Sequence, residues 1–194
     1  MSPVHYYLGI DIGGTNIKGA LVSFGAHPRL TGVFSFPTPK DKAAFLHALI
    51  QHISLIVSNV SVRGIGVGLP GMMHLNGKVL VKAPNLPFLN GWNAYAFFKK
   101  FHRHIQTMND ARAFLLAESA YGAAQGKKNA LGVAVGTGIG GAIIIGGTPH
   151  KGAHNSAGEI GHMTVDIPRT FEELGGKSAF KKYGDRSALI GIGI

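Results

Sequence analysis

Apolar and polar positions change period several times along the chain, and each change marks an element. His5–Asp11 alternates and is rich in aromatic and branched residues, the pattern of a half-buried strand. Asn16–Phe24 and Arg29–Pro37 repeat that pattern, so a three-stranded meander is predicted. The period then lengthens. Ala43, Leu46, Leu49, Ile50, Ile53 and Val57 fall at helical intervals within Lys42–Val57, with Asp41 placed to cap the helix. Arg63–Gly68 predicts a short buried strand ending at the turn Leu69-Pro70-Gly71, and His74–Val81 a hairpin around Asn76-Gly77. Trp92–Phe101 predicts a helix, and Ile105–Asn109 a short strand that delivers Asp110. Ala111–Gln125 predicts a further helix, being Ala- and Leu-rich with no breaker until Gly122. A second unit starts near Asn129, with strands at Ala130–Val135 and Ala142–Ile145 around the turn Gly136–Gly141. The order strand–strand–strand–helix–strand repeats loosely, which implies an α/β fold of mixed sheets with helices on both faces.

Composition narrows this picture in three ways. Of 194 residues, 45% are apolar, enough for a sizeable core, and 29 are Gly, which implies many tight turns. The net charge is +10, yet the basic residues are scattered as Lys99, Lys100 and Arg103, Lys127 and Lys128, Lys181 and Lys182. A nucleic-acid-binding arm carries longer basic runs, so the charge reads as serving a small polyanion or as a solvated face, with no nucleic-acid partner. There are 0 Cys, which excludes disulfides and thiolate metal sites and is compatible with the cytoplasm. The apolar stretch Leu131–Gly147 approaches membrane-span length but is broken by glycines and followed by Pro149. A buried hairpin explains it better than a membrane span.

Two glycine-rich turns flank Asn109-Asp110-Ala111. The first is Asp11-Ile12-Gly13-Gly14-Thr15-Asn16, with Lys18 two residues on. Gly13 and Gly14 are expected to take positive φ and to leave their N–H groups facing a phosphate, with Thr15 and Asn16 adding donors. Asp11 could hold Mg²⁺ through water. A plain Gly-Gly hairpin is the bland alternative. The second turn, Gly136-Thr137-Gly138-Ile139-Gly140-Gly141, has the spacing of a dinucleotide fingerprint. That fingerprint needs a helix after the glycines, whereas Ala142–Ile145 reads as a returning strand, so a hairpin cradle is favoured over a nicotinamide enzyme. Asp110 is either a helix N-cap or a base, and two phosphate cradles plus one base form the inventory of a phosphoryl-transfer enzyme. Glu159 and His162, in Gly158-Glu159-Ile160-Gly161-His162, read as a metal pair short of ligands, a surface ion pair, or two groups that grip adjacent sugar hydroxyls.

Taken in order, these segments resemble the ROK family of sugar kinases and sugar-responsive repressors, within the actin/hexokinase-like ATPase superfamily. DIGGTNIKGAL resembles the family's first phosphate motif, GIGVGLPG its sugar-side loop, and APNLP followed by Gly91-Trp92 its sugar-contact segment. NDARA with Glu118 resembles the catalytic segment, VGTGIGGAIIIGG the second phosphate motif and GEIGH the sugar-gripping motif. The resemblance implies an actin-like ATPase (ribonuclease H-like) fold of two mixed-sheet domains with a cleft, divided as residues 1–128 and 129–194, the second incomplete. It implies ATP with Mg²⁺, and a hexose, most plausibly glucose at its 6-hydroxyl, with fructose, N-acetylmannosamine and N-acetylglucosamine as alternatives. Asp110 would be the catalytic base. Asp11, Gly13, Gly14, Thr15, Asn16, Lys18, Gly136, Thr137 and Gly138 would serve the ATP phosphates. Gly71, Asn85, Asn109, Glu159 and His162 would serve the sugar, and the full-length form would be a homodimer.

Two departures from the family pattern carry expectations of their own. Many members hold zinc through a cysteine cluster after the GEIGH-like motif, but Met163–Ser178 has no Cys, so no zinc site is expected. FEELGGKSAFKKYG then looks like the corresponding helix, with Glu172 or Glu173 near the sugar. The chain also stops at SALIGIGI (187–194), which reads as the opening of an apolar helix and suggests a cut-short chain with the adenosine pocket missing. A sugar-sensing repressor would carry an N-terminal helix-turn-helix, for which the first phosphate motif, starting near Leu8, leaves no room.

Overall fold

The computed structural model describes residues 5–24, 28–135 and 139–163. Expectations for Gly136, Thr137, Gly138, Glu172, Glu173 and the 187–194 segment lie outside the described residues.

The meander forms as the alternation predicts. Strands β1 (Tyr6–Ile12), β2 (Asn16–Ser23) and β3 (Arg29–Pro37) pair antiparallel, and β4 (Val62–Leu69) and β8 (Ile105–Asn109) add parallel strands on the other side of β1. The sheet order is β3-β2-β1-β4-β8. Leu8, Ile10 and Ile12 point to the buried side at every second position, as a period of two requires. Helix α1 (Lys42–Asn59) packs Phe45, Leu49 and Ile53 into the core, and Asp41 caps it by accepting from the N–H groups of Ala43 and Ala44.

The region between β4 and β8 departs from expectation. The predicted helix Trp92–Phe101 is only α2 (Ala94–Phe98), because Trp92–Asn93 is instead strand β7, which joins β5 (Met72–Met73) and β6 (Val79–Lys82) in a small antiparallel sheet. The reason is tertiary. Trp92 sits 5.6 Å from the Phe45 ring and 5.4 Å from Phe97, so it is drawn into the core while Asn93 caps α2. The predicted hairpin turn around Asn76-Gly77 is present, with Gly77 at φ 70°.

Helix α3 runs Asp110–Tyr121, starting one residue earlier and ending four residues sooner than expected, at Gly122. Strands β9 (Ala130–Val135), β10 (Ile139–Ile145) and β11 (Thr148–His150) form an antiparallel sheet, so the second glycine motif is indeed a hairpin. β10 begins at Ile139 rather than at Ala142, which places Gly140 and Gly141 within the strand and not in the turn. No helix among the described residues is long and apolar enough to cross a membrane.

Candidate active site

Parallel pairing brings the motifs to one edge of the large sheet. Asp11 is in register with Gly68, Gly68 with Met108, and Leu69 with Asn109, so β1, β4 and β8 all end at the same rim. Open α/β sheets bind ligands at the carboxyl ends of their parallel strands. Asp11 and Asp110 meet there across Gly68: a Cβ at Gly68 would lie 3.5 Å from Asp11 Oδ1 and 3.5 Å from Asp110 Cα.

Of the two readings of Asp110, the cap falls to its neighbour, because Asn109 caps α3. Asn109 Oδ1 accepts from the Arg112 N–H at 3.1 Å. Asp110 is the first helical residue, half-buried, and its Oδ1 accepts from the Ala111 N–H at 2.8 Å and from Asn109 Nδ2 at 3.1 Å. Burial raises the Asp110 pKa, and the charges of Asp11 and Glu159 push it the same way against the hydrogen bond from Ala111. Burial also raises the Asp11 pKa, opposed by Lys18, its antiparallel partner on β2.

The first glycine turn differs from expectation in detail. Neither Gly13 nor Gly14 has positive φ. They are needed for space instead: a Cβ on Gly13 would come within 2.7 Å of the Asn16 carbonyl oxygen, and one on Gly14 within 3.1 Å of Asn85 Cβ. The Gly13 N–H is not free either, since it donates to the Asn16 carbonyl at 3.0 Å. The N–H groups of Gly14 and Thr15 have no backbone partner among the described residues. The turn is braced by the residue after β3, where Thr38 Oγ1 donates to Gly13 O at 2.7 Å and the Thr38 N–H to Thr15 O at 2.9 Å.

Contact between Gly14 and Asn85 sets the first glycine turn beside the segment Ala83–Pro87. Gly71, at φ 88°, fits only as glycine, because a Cβ would strike the Lys82 carbonyl. Its own carbonyl accepts from Asn109 Nδ2 at 3.1 Å. The Asn109 side chain is thus engaged by the cap, by Gly71 and by Asp110. The Gly158–His162 segment packs on β10, with Glu159 opening a single 3-10 turn (Ile160–His162). His162 Nε2 lies 3.9 Å from Glu159 Oε2, and its side chain is 77% exposed. β10 also reaches the helix that carries Asp110, since a Cβ on Gly140 would lie 3.3 Å from Ala111 Cβ.

The structure therefore gathers Asp11, Gly13–Asn16, Gly71, Asn85, Asn109, Asp110 and Glu159 around one rim. Lys18 and His162 lie toward its open margins. A cavity of about 550 Å³ runs along the apolar sheet face below and touches the rim only at Asp11, Lys18 and Gly68. Three further residues emerge from the fold. Lys40 Nζ donates to Gly14 O at 2.5 Å, placing a cation at the first glycine turn. Buried Arg112 donates to buried Asn155. Lys40 carried no signal in the sequence, because only the β2–β3 register brings Pro37 and its successors beside Asn16.

The fold and this rim define an actin-like ATPase-type α/β protein with a glycine turn and a carboxylate pair. The ROK family model matches residues 7–181, and the chain belongs to the ROK family. It is 35% identical over 162 residues to an N-acetylgalactosamine kinase of Shewanella sp. (strain ANA-3), covering 82% of this chain and 51% of that protein. It is 32% identical over 171 residues to a glucokinase of Halalkalibacterium halodurans, covering 82% of this chain and 50% of that protein. A solved ROK family glucokinase from Streptomyces griseus, in complex with glucose and AMPPNP, superposes with a TM-score of 0.75 at 27% identity, covering 83% of this chain and 51% of that one. The chain spans about half the length of the curated relatives it matches.

Proposed function

We propose that this chain carries the base, the phosphate turns and the sugar-side loops of an ATP-dependent hexose kinase. The observation that carries this reading is the meeting of Asp11 and Asp110 over Gly68, with the Gly14 turn touching Asn85. Asp110 accepts the proton of a hexose hydroxyl as that oxygen attacks the γ-phosphorus. The bond from γ-phosphorus to the bridging oxygen breaks, ADP leaves, and Asp110 returns its proton to water. Gly13–Asn16, Lys18 and Lys40, with Gly136–Gly138, serve the ATP phosphates. Asp11 suits Mg²⁺ held through water, since that ion prefers few carboxylates and several waters, and the ion would neutralise charge on the phosphates. Gly71, Asn85, Asn109, Glu159 and His162 serve the sugar. The chain divides as 1–128 and 129–194.

Glucose at its 6-hydroxyl is the first substrate proposed. An N-acetylhexosamine is the second reading, favoured by the 35% identity to a kinase for N-acetylgalactosamine. The test is ATP turnover by the purified protein with glucose, N-acetylglucosamine or N-acetylgalactosamine, read as ADP and sugar phosphate. One hexose should support turnover that Asp110→Asn removes. Absence of sugar phosphate with every hexose, or turnover undiminished by Asp110→Asn, would refute the proposal.

A further inference from the structure

Arg112 is 7% exposed, yet among the described residues no carboxylate lies within ion-pair distance of it. Its Nη1 donates instead to the neutral amide of Asn155, at 2.7 Å. Asn155 is 5% exposed and holds φ 59°, a left-handed conformation that no other described non-glycine residue adopts. Its Nδ2 donates to the carbonyls of Met73 at 2.8 Å and His74 at 3.2 Å. One amide thus joins three segments: the helix bearing Asp110, the strand that follows Gly71, and the loop that leads to Glu159. Asn109 grips the same strand from its other end, through the Gly71 carbonyl.

A buried arginine ordinarily pairs with a carboxylate, because an unpaired buried charge is costly. Here the charge of Glu159 acts on it from beyond ion-pair distance and opposes the lowering of the Arg112 pKa by burial. Glu159 bears on Asp110 as well. By bonding an amide, the guanidinium anchors the loop and leaves the Glu159 oxygens as acceptors for a ligand. A direct Arg112–Glu159 bidentate pair would have consumed them.

We propose that Arg112 and Asn155 are positioning residues for the hexose: their bridge fixes the loop bearing Glu159 and His162 relative to Asp110 while keeping the Glu159 carboxylate free. This rests on the kinase reading above. The decisive variant is Asn155→Gly, which removes the amide but tolerates the positive φ. The hexose KM should rise about 10- to 100-fold, the scale of a lost charge-assisted hydrogen bond, with kcat changed less and the ATP KM unchanged. Arg112→Lys should retain much of the hexose affinity that Arg112→Met loses. Equal rises in both KM values, or a lower melting temperature with an unchanged hexose KM, would overturn the proposal. If the unaltered protein neither binds a hexose nor transfers phosphate, the kinase reading has failed by itself. The bridge is then judged by hydrogen exchange at Ala157, Glu159 and His162. Faster exchange there in Asn155→Gly, with α1 unchanged, supports loop positioning, and unchanged exchange refutes it.

Discussion

Two of the three sheets define units that obtain their cores differently. In the first unit, Leu8, Ile12, Phe45, Leu49, Ile53 and Leu69 of β1, β4 and α1 lie in one large cluster with Ile17, Leu80 and Trp92, the six each 0 or 1% exposed. In the hairpin unit, Ala142 and Ile144 of β10 are buried, and they rest on Ala111 and Leu115 of α3. Leu131, Val133, Val135 and Ile145 remain between 43% and 59% exposed. The second unit therefore uses the first unit's helix as its floor. That helix begins with Asp110, so the proposed base stands where the two units share one element, and its position depends on both.

The comparison can be broken most forcefully at Asp110. Asp110→Asn should lower phosphoryl transfer about 10²- to 10⁴-fold while hexose binding, measured by calorimetry, persists. Near-normal turnover would remove Asp110 from the shared-helix argument. A second test separates the two cores. Leu115→Ala and Leu49→Ala should each destabilise by about 2–5 kcal/mol, the usual range for emptying a buried leucine site. Hydrogen exchange should then speed up chiefly in β9 and β10 for Leu115→Ala, and in β1 and β4 for Leu49→Ala. The same exchange pattern from both variants would mean that the units share one cooperative core.

A smaller effect follows from the raised pKa of Asp110. The folded protein holds this proton more tightly than the unfolded chain, so stability is greatest below the unfolded value of 3.8 and falls as pH rises through the raised folded value. Asp110→Asn removes that fall. The variant should melt higher than the unaltered protein at neutral pH, and the gain should shrink on acidification, as read by thermal unfolding across pH. The smallest effect is expected at Lys40, whose bond to Gly14 O is solvent-exposed. Lys40→Met should raise the ATP KM a few-fold, on the order of 1 kcal/mol or less, with the hexose KM unchanged. A changed hexose KM would move Lys40 to the sugar side.

Much of this architecture was legible in residue order. The two-residue period of β1 to β3, the helical spacing of α1 with its Asp41 cap, and the β-branched return after the second glycine run each report local preference, which needs no partner to be read. The first glycine turn and Asn109-Asp110, adjacent to strand ends in the sequence, likewise fall at the carboxyl ends of β1 and β8. Tertiary structure decided the rest. Trp92 left its predicted helix because an aromatic core offered it burial, and Asn109 rather than Asp110 became the cap because α3 begins at Asp110, one residue earlier than expected. Gly13 and Gly14 proved to be limited by neighbours rather than by φ. Lys40 reached Gly14, and Asn155 reached Arg112 and Met73, across 26, 43 and 82 positions of sequence. Such contacts leave no periodicity behind. They arise when sheet register and packing bring distant segments together, and no local rule encodes that meeting.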